Sequence, residues 1–158
     1  MMRRLVPVLL LLALSAALGW ASSTPYNPPE GGDEWQYVTV VLKGTATDAD
    51  ASGKAILACN MAETQHRIQL AAEKLVARGA YSVWLAKYNK DGSKMLSQTR
   101  LDDASKRLRA DAKGKLAFTA NLSACPQGRY THVVVRYHAD GNPRNATKVP
   151  AVLLGKMP

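Results

Sequence analysis

The sequence predicts an all-β domain built as an antiparallel two-sheet sandwich of about seven strands. Three observations carry that prediction. Short runs rich in Val, Ile, Thr, Tyr and Trp recur along the chain, clusters of Gly, Asp, Asn and Pro punctuate them, and no repeating helix separates them as a parallel α/β sheet would require.

The elements follow in order. Tyr37 to Leu42 (YVTVVL) is dense in β-branched residues, is bounded by Gly44, and reads as a buried first strand. Lys54 to Cys59 (KAILAC) follows a turn-like Asp-Ala-Asp-Ala-Ser-Gly stretch and reads as a second. Tyr81 to Tyr88 alternates Tyr81, Val83 and Leu85 with Ser82, Trp84 and Ala86, then stops at the turn signal Asn89 to Gly92. That alternation expects one of Tyr81 and Trp84 in the core and the other half-exposed. Arg107 to Ala110 and Lys115 to Leu122 flank Asp111-Ala112-Lys113-Gly114, which reads as a hairpin turn with Gly114 supplying a positive φ. Arg129 to His138, closed by Asp140 to Pro143, and Val149 to Leu154 complete the set.

Asn60 to Gly79 obeys two rules at once. As a helix over 60–78, giving an α+β fold, it has Asn60 as N-cap, Glu63 completing a capping box, apolar Ile68, Ala71, Ala72, Leu75 and Val76 at helical spacing, and Gly79 as the stop. As a strand it runs from His66 to Lys74 with Ile68, Leu70 and Ala72 facing inward and Leu75 tucked into a corner. A resemblance favours the strand. The run Leu75-Val-Ala-Arg-Gly-Ala-Tyr81-Ser-Val-Trp84-Leu85 resembles the corner of small exported bacterial Ig-like β-sandwich domains, among them the extracytoplasmic domains of some anti-sigma factors. It continues more faintly through Asp111 to Gly114, Phe118, Gly128 to Tyr130 and Val152 to Gly155. The resemblance implies a fold and no activity, because this chain shows neither a sigma-binding region nor a membrane span. An extended segment leads into that corner in such domains, so the expected fold is the all-β one.

Arg3 and Arg4 precede an apolar run, Leu5 to Leu18, and the small residues Gly19 and Ala21 follow. This is the order of a cleavable secretory signal, and about 14 apolar residues fall short of the roughly 20 that span a bilayer. Residues 1–21 are therefore read as signal peptide and the chain as exported, to the periplasm or the medium. Residues 22–34, with Pro25, Pro28, Pro29, Gly31 and Gly32, read as a flexible leader. The β-sandwich domain takes 35–158.

From Ala51 to the end there are 18 Lys and Arg against seven Asp and Glu. The candidate binding residues are Lys87, Lys90, Lys94, Arg107, Arg109, Lys113 and Lys115, whose charge suits an anionic glycan, lipid headgroups or an acidic envelope protein; nucleic acid is not expected. Cys59 and Cys125, an even pair in a chain read as exported, predict one disulfide.

The three histidines, His66, His132 and His138, read as exposed surface residues. His132 and His138 share a strand face but lie about 20 Å apart at roughly 3.3 Å per residue, too far for one ion. His138 with Asp140 is the weak metal candidate, the basis of an alternative reading as a metal-handling or stress protein that enlists Met61 or Met95. No nucleophile elbow, metalloprotease, phosphate-loop or dinucleotide pattern occurs, and Asp102 and Asp103 read as capping or solvated residues, so no catalytic residue and no cofactor is expected. The functional expectation is a non-catalytic binding or structural module of the cell envelope.

Overall fold

The computed structural model describes residues 35–60, 62, 65–146 and 149–158. The signal segment 1–21, the leader 22–34 and Met61 lie outside the described residues. Nine strands follow one another: β1 (Trp35–Thr45), β2 (Asp48–Asn60), β3 (Gln65–Glu73), β4 (Ala80–Tyr88), β5 (Met95–Arg100), β6 (Leu108–Arg109), β7 (Leu116–Leu122), β8 (His132–His138) and β9 (Ala151–Lys156). Among the described residues there is no helix, so the α+β alternative falls. β3 occupies the disputed segment with Ile68, Leu70 and Ala72 buried on alternate positions, and Leu75 is buried beyond its end. The helical spacing lost because strand alternation lets β3 pair on both sides, with β2 and with β7.

All pairings are antiparallel, in the order β5-β4-β8-β9-β1-β2-β3-β7, with β6 attached to the start of β4. The path is one continuous curled sheet. It has two halves, β5-β4-β8-β9 and β1-β2-β3-β7, joined where β9 meets β1 at only Lys43↔Leu154 and Gly44↔Leu153. Curling brings the two inner faces together over one core. Val40, Leu57, Ile68 and Leu70 come from one half, and Tyr81, Val83, Val133, Val135 and Leu153 from the other. β4 is buried on both faces, because Trp84 and Ala86 pack with Val134 on its outer side. Tyr81 and Trp84 are thus both buried, correcting the expectation that one would be half-exposed.

Two connections cross between the halves side by side. Residues 74–79 lead from β3 to β4, and residues 110–115 lead from β6 to β7. Backbone bonds tie them together: Leu75 N–H to Gly114 O (3.0 Å), Arg78 N–H to Asp111 O (3.1 Å) and Ala110 N–H to Gly79 O (3.1 Å). Gly114 has φ +72°, as its turn requires, and a Cβ there would lie 2.3 Å from the Leu75 carbonyl oxygen. The Asp111–Gly114 turn is therefore as expected, but its flanks do not form a hairpin. β6 pairs with β4 while β7 pairs with β3, so the turn carries the chain from one half to the other.

The disulfide links Cys59 at the end of β2 to Cys125 beyond β7, with Cα atoms 5.5 Å apart. It closes a separation of 66 residues, which on the chain-entropy argument stabilises the fold by about 4 kcal/mol.

Candidate anion-binding corner

The paired crossovers gather positive charge that is scattered in sequence. Lys74 and Arg78 come from the first, Arg109, Lys113 and Lys115 from the second and its approach, and all five are exposed. Lys74 and Arg78 both hold φ +58°, a left-handed conformation that glycine or asparagine adopts at lower energy. Leu75, buried between them, pins the segment to the core, so the two long cations project outward from a fixed backbone. Arg109 donates through Nη1 to the Arg78 carbonyl (2.8 Å), which couples the second crossover's cation to the first.

The one acid inside the second crossover is occupied by backbone. Asp111 Oδ1 accepts from the N–H of Lys113 and of Lys115, each at 2.8 Å. The Lys115 bond, foremost, holds the Asp111 carboxyl below the usual carboxylate range, with the Lys113 bond and the two lysine charges adding to it. Asp111 is the carboxylate whose charge these lysines feel, and no ion pair within 4 Å is seen between the five corner cations and a carboxylate among the described residues.

The basic residues picked out by sequence do not make one face. Arg109, Lys113 and Lys115 reach the corner, and exposed Arg107 lies on the loop leading to it. Lys87, Lys90 and Lys94 cluster instead around the β4–β5 turn, at the other end of β4. Ala80 and Lys87 are seven residues apart on that strand, about 23 Å at roughly 3.3 Å per residue. That turn is closed by Asn89 N–H to Lys94 O (2.9 Å) and Lys94 N–H to Asn89 Oδ1 (3.0 Å). Sequence reasoning missed Lys74 and Arg78, which lay in the segment disputed between helix and strand. Arg78 lies inside the Leu75 to Leu85 run that carries the resemblance and Lys74 directly before it, but that resemblance speaks to fold and marks no binding residue.

The histidines are not surface residues. His138 is 2% exposed and His66 9%, while His132 is half-buried. For His66 the expectation failed because it shares the buried side of β3 with Ile68 and Leu70, and for His132 and His138 because β8 is covered on both faces. On the outer side Trp84 lies between two guanidinium groups, Arg100 at 5.6 Å and Arg136 at 5.7 Å from the ring centroid. Beneath it, the Trp84 indole N–H donates to Ser82 Oγ (2.8 Å), and Ser82 Oγ meets His138 Nε2 at 2.8 Å. The indole can only donate, so it takes one lone pair of Ser82 Oγ; toward His138 Nε2 the hydroxyl donates or accepts according to the imidazole tautomer. Burial, then the Arg100 charge, push the His138 pKa down from 6.5 and favour the neutral imidazole. Ser82 has no exposed surface, and its hydroxyl serves to fix the indole and the imidazole.

Asp102 is likewise buried rather than solvated. Its carboxylate accepts from Val83 N–H (2.8 Å) and from Arg100 Nε (3.1 Å) and Nη2 (2.6 Å), while Arg100 Nη1 donates to the Pro143 carbonyl. Asp103 caps its own loop through Ser105, as read. Of the pair His138 and Asp140, His138 Nε2 meets Ser82 while its Nδ1 has no hydrogen-bond partner, and Asp140 accepts from Asn142 N–H (2.9 Å) and Asn145 Nδ2 (3.0 Å).

No protein family, no curated protein and no solved structure matches this chain.

Proposed function

We propose that this chain is a non-catalytic exported module that binds an anionic polymer of the cell envelope through the crossover corner. One observation carries the reading: two segments distant in sequence are locked together so that exposed Lys74, Arg78, Arg109, Lys113 and Lys115 gather around a single acid, Asp111, whose carboxylate is engaged by backbone. Clustered cations on a rigid backbone concentrate a polyanion by long-range attraction and lose little entropy on contact. Export is supported by the signal-like first 21 residues and by the disulfide, which forms in oxidising compartments. No helix among the described residues is long and apolar enough to cross a membrane.

We read the fold as an Ig-like module in which the two halves of the curled sheet act as the two sheets of a sandwich. The Tyr81 hydroxyl donates to the Val76 carbonyl five residues upstream (3.4 Å), the bond by which Ig-like domains fix a tyrosine at such a corner. The resemblance to anti-sigma extracytoplasmic domains rests on that same corner.

The test is capture of the mature, oxidised protein on an acidic polysaccharide, on anionic vesicles and on an immobilised metal resin, at about 0.1 M and about 1 M salt, where the screening length is about 10 Å and about 3 Å. Capture on the polysaccharide at low salt and release at high salt supports the proposal. Salt-sensitive capture on vesicles alone moves the partner to lipid headgroups and overturns the polymer. Capture on the metal resin alone, lost in His138→Ala, overturns the anion reading in favour of metal handling.

A further inference from the structure

His66 and Lys74 stand at opposite ends of β3, about 26 Å apart at roughly 3.3 Å per residue, and a second cluster forms at the His66 end. Cys59 on β2 lies directly across from His66 on β3, and His66 in turn faces Leu122 on β7, three residues before Cys125. The two sulfurs and a ring nitrogen of His66 all lie within 4.8 Å of one another. His66 is 9% exposed, and its Nδ1 has no hydrogen-bond partner. Leaving a buried polar group unsatisfied costs about 1–3 kcal/mol, and a disulfide alone gives no reason to hold an imidazole there. His66 and Cys125 line an open cleft of about 490 Å³ with Gln36, Gln127 and Arg129, so the cluster is reachable from solvent.

We propose that Cys59, Cys125 and His66 form a redox-gated site for a zinc-class d¹⁰ ion: the reduced protein binds one ion through two thiolates and one imidazole, and the disulfide is the ion-free form. Tetrahedral coordination with Zn–S near 2.3 Å and Zn–N near 2.0 Å places these ligand atoms roughly 3.5–3.8 Å apart; the ring nitrogen already lies within 4.8 Å of both sulfurs, and the sulfurs must part to that distance on reduction. Cys125 lies outside the strands, so its sulfur can withdraw without breaking the β2–β3 ladder. The fourth position faces the cleft and takes a water or an exogenous donor.

The interconversion balances as follows. A dithiol delivers two electrons and two protons to the Cys59–Cys125 bond, giving two thiols and an oxidised cyclic disulfide; the ion then displaces both thiol protons. In reverse, an external disulfide accepts two electrons from the two thiolates, the Sγ–Sγ bond forms, and the ion is released.

The experiment is an anaerobic titration of the mature chain with Co²⁺, the spectroscopic stand-in for Zn²⁺, in oxidised and phosphine-reduced forms, with the fold followed by far-UV circular dichroism. The expected result is one equivalent bound by the reduced form with intense thiolate-to-cobalt absorption, none bound by the oxidised form, and release on adding a disulfide oxidant. His66→Ala should keep the strand signal and weaken binding by at least about tenfold. A reduced, folded chain that takes up no Co²⁺, or that binds it equally well as His66→Ala, overturns the proposal. If reduction unfolds the chain, restoration of the fold by Zn²⁺ supports it, and failure to restore the fold overturns it.

Discussion

Asp102 is the carboxylate on which the outer layer of β4 depends. Its side chain is 3% exposed, and it answers both the Val83 N–H and the Arg100 guanidinium that stacks on Trp84. Asp102→Ala strands the buried Val83 N–H and leaves the part-buried Arg100 guanidinium only its Pro143 carbonyl, so a loss of about 2–4 kcal/mol is expected from denaturant unfolding. His138 sets the acid limit. Its folded pKa, and that of His132, lie below the usual 6.5 because burial disfavours the imidazolium, with Arg100 and Lys156 respectively adding repulsion. In that case the unfolded chain binds more protons, so the stabilisation is complete above about pH 6.5 and is lost as pH falls through the folded values. Thermal melts between pH 7.5 and 5 should show a falling midpoint, and His138→Gln should flatten that fall. At the alkaline end Tyr81, pushed up to about 12 chiefly by burial, withdraws stability as pH rises above 10.

At the scale of elements, the two crossovers are the parts that cannot be rebuilt. Gly114→Ala must place a Cβ against the Leu75 carbonyl at a positive φ, and should destabilise by about 2–3 kcal/mol. Gly92→Ala, at φ +74° in the β4–β5 turn with nothing within 4 Å of the new Cβ, should lose only about 1 kcal/mol. Denaturant midpoints of the two variants, measured side by side, separate close approach from backbone preference. The same elements show what sequence could and could not reveal. β4 was legible because apolar alternation and a turn signal coincide in it. β5 was not, because Met95 to Thr99 are all exposed and carry no apolar period, and with β5 absent Trp84 had no visible cover. The Asp111–Gly114 turn was legible from its residues, but turn chemistry does not choose partners. Those were decided by pairing with strands from distant parts of the chain, β4 and β3. The corner was half legible for that reason: the second crossover's cations were among the candidate binding residues, whereas Lys74 and Arg78 join them only through the backbone bonds between crossovers.

The described residues form a curled antiparallel sheet whose halves meet at the two β1–β9 pairs and at the crossovers, while the Cys59–Cys125 bond ties β2 to the segment beyond β7 within one half. Two of its exposed basic groups, the corner and the β4–β5 turn, lie apart, so net charge alone does not determine where a polyanion lands. The direct measurement is affinity for an acidic polysaccharide across a salt series for three proteins: the parent, Arg78→Glu with Lys113→Glu and Lys115→Glu, and Lys87→Glu with Lys90→Glu and Lys94→Glu. Both triple variants change the net charge equally, and all six residues are exposed. The account predicts that the corner variant loses at least about tenfold in affinity and most of the salt dependence, while the turn variant loses less than about threefold through the general field. Equal losses in the two variants, or a greater loss in the turn variant, would contradict the assignment of binding to the crossover corner.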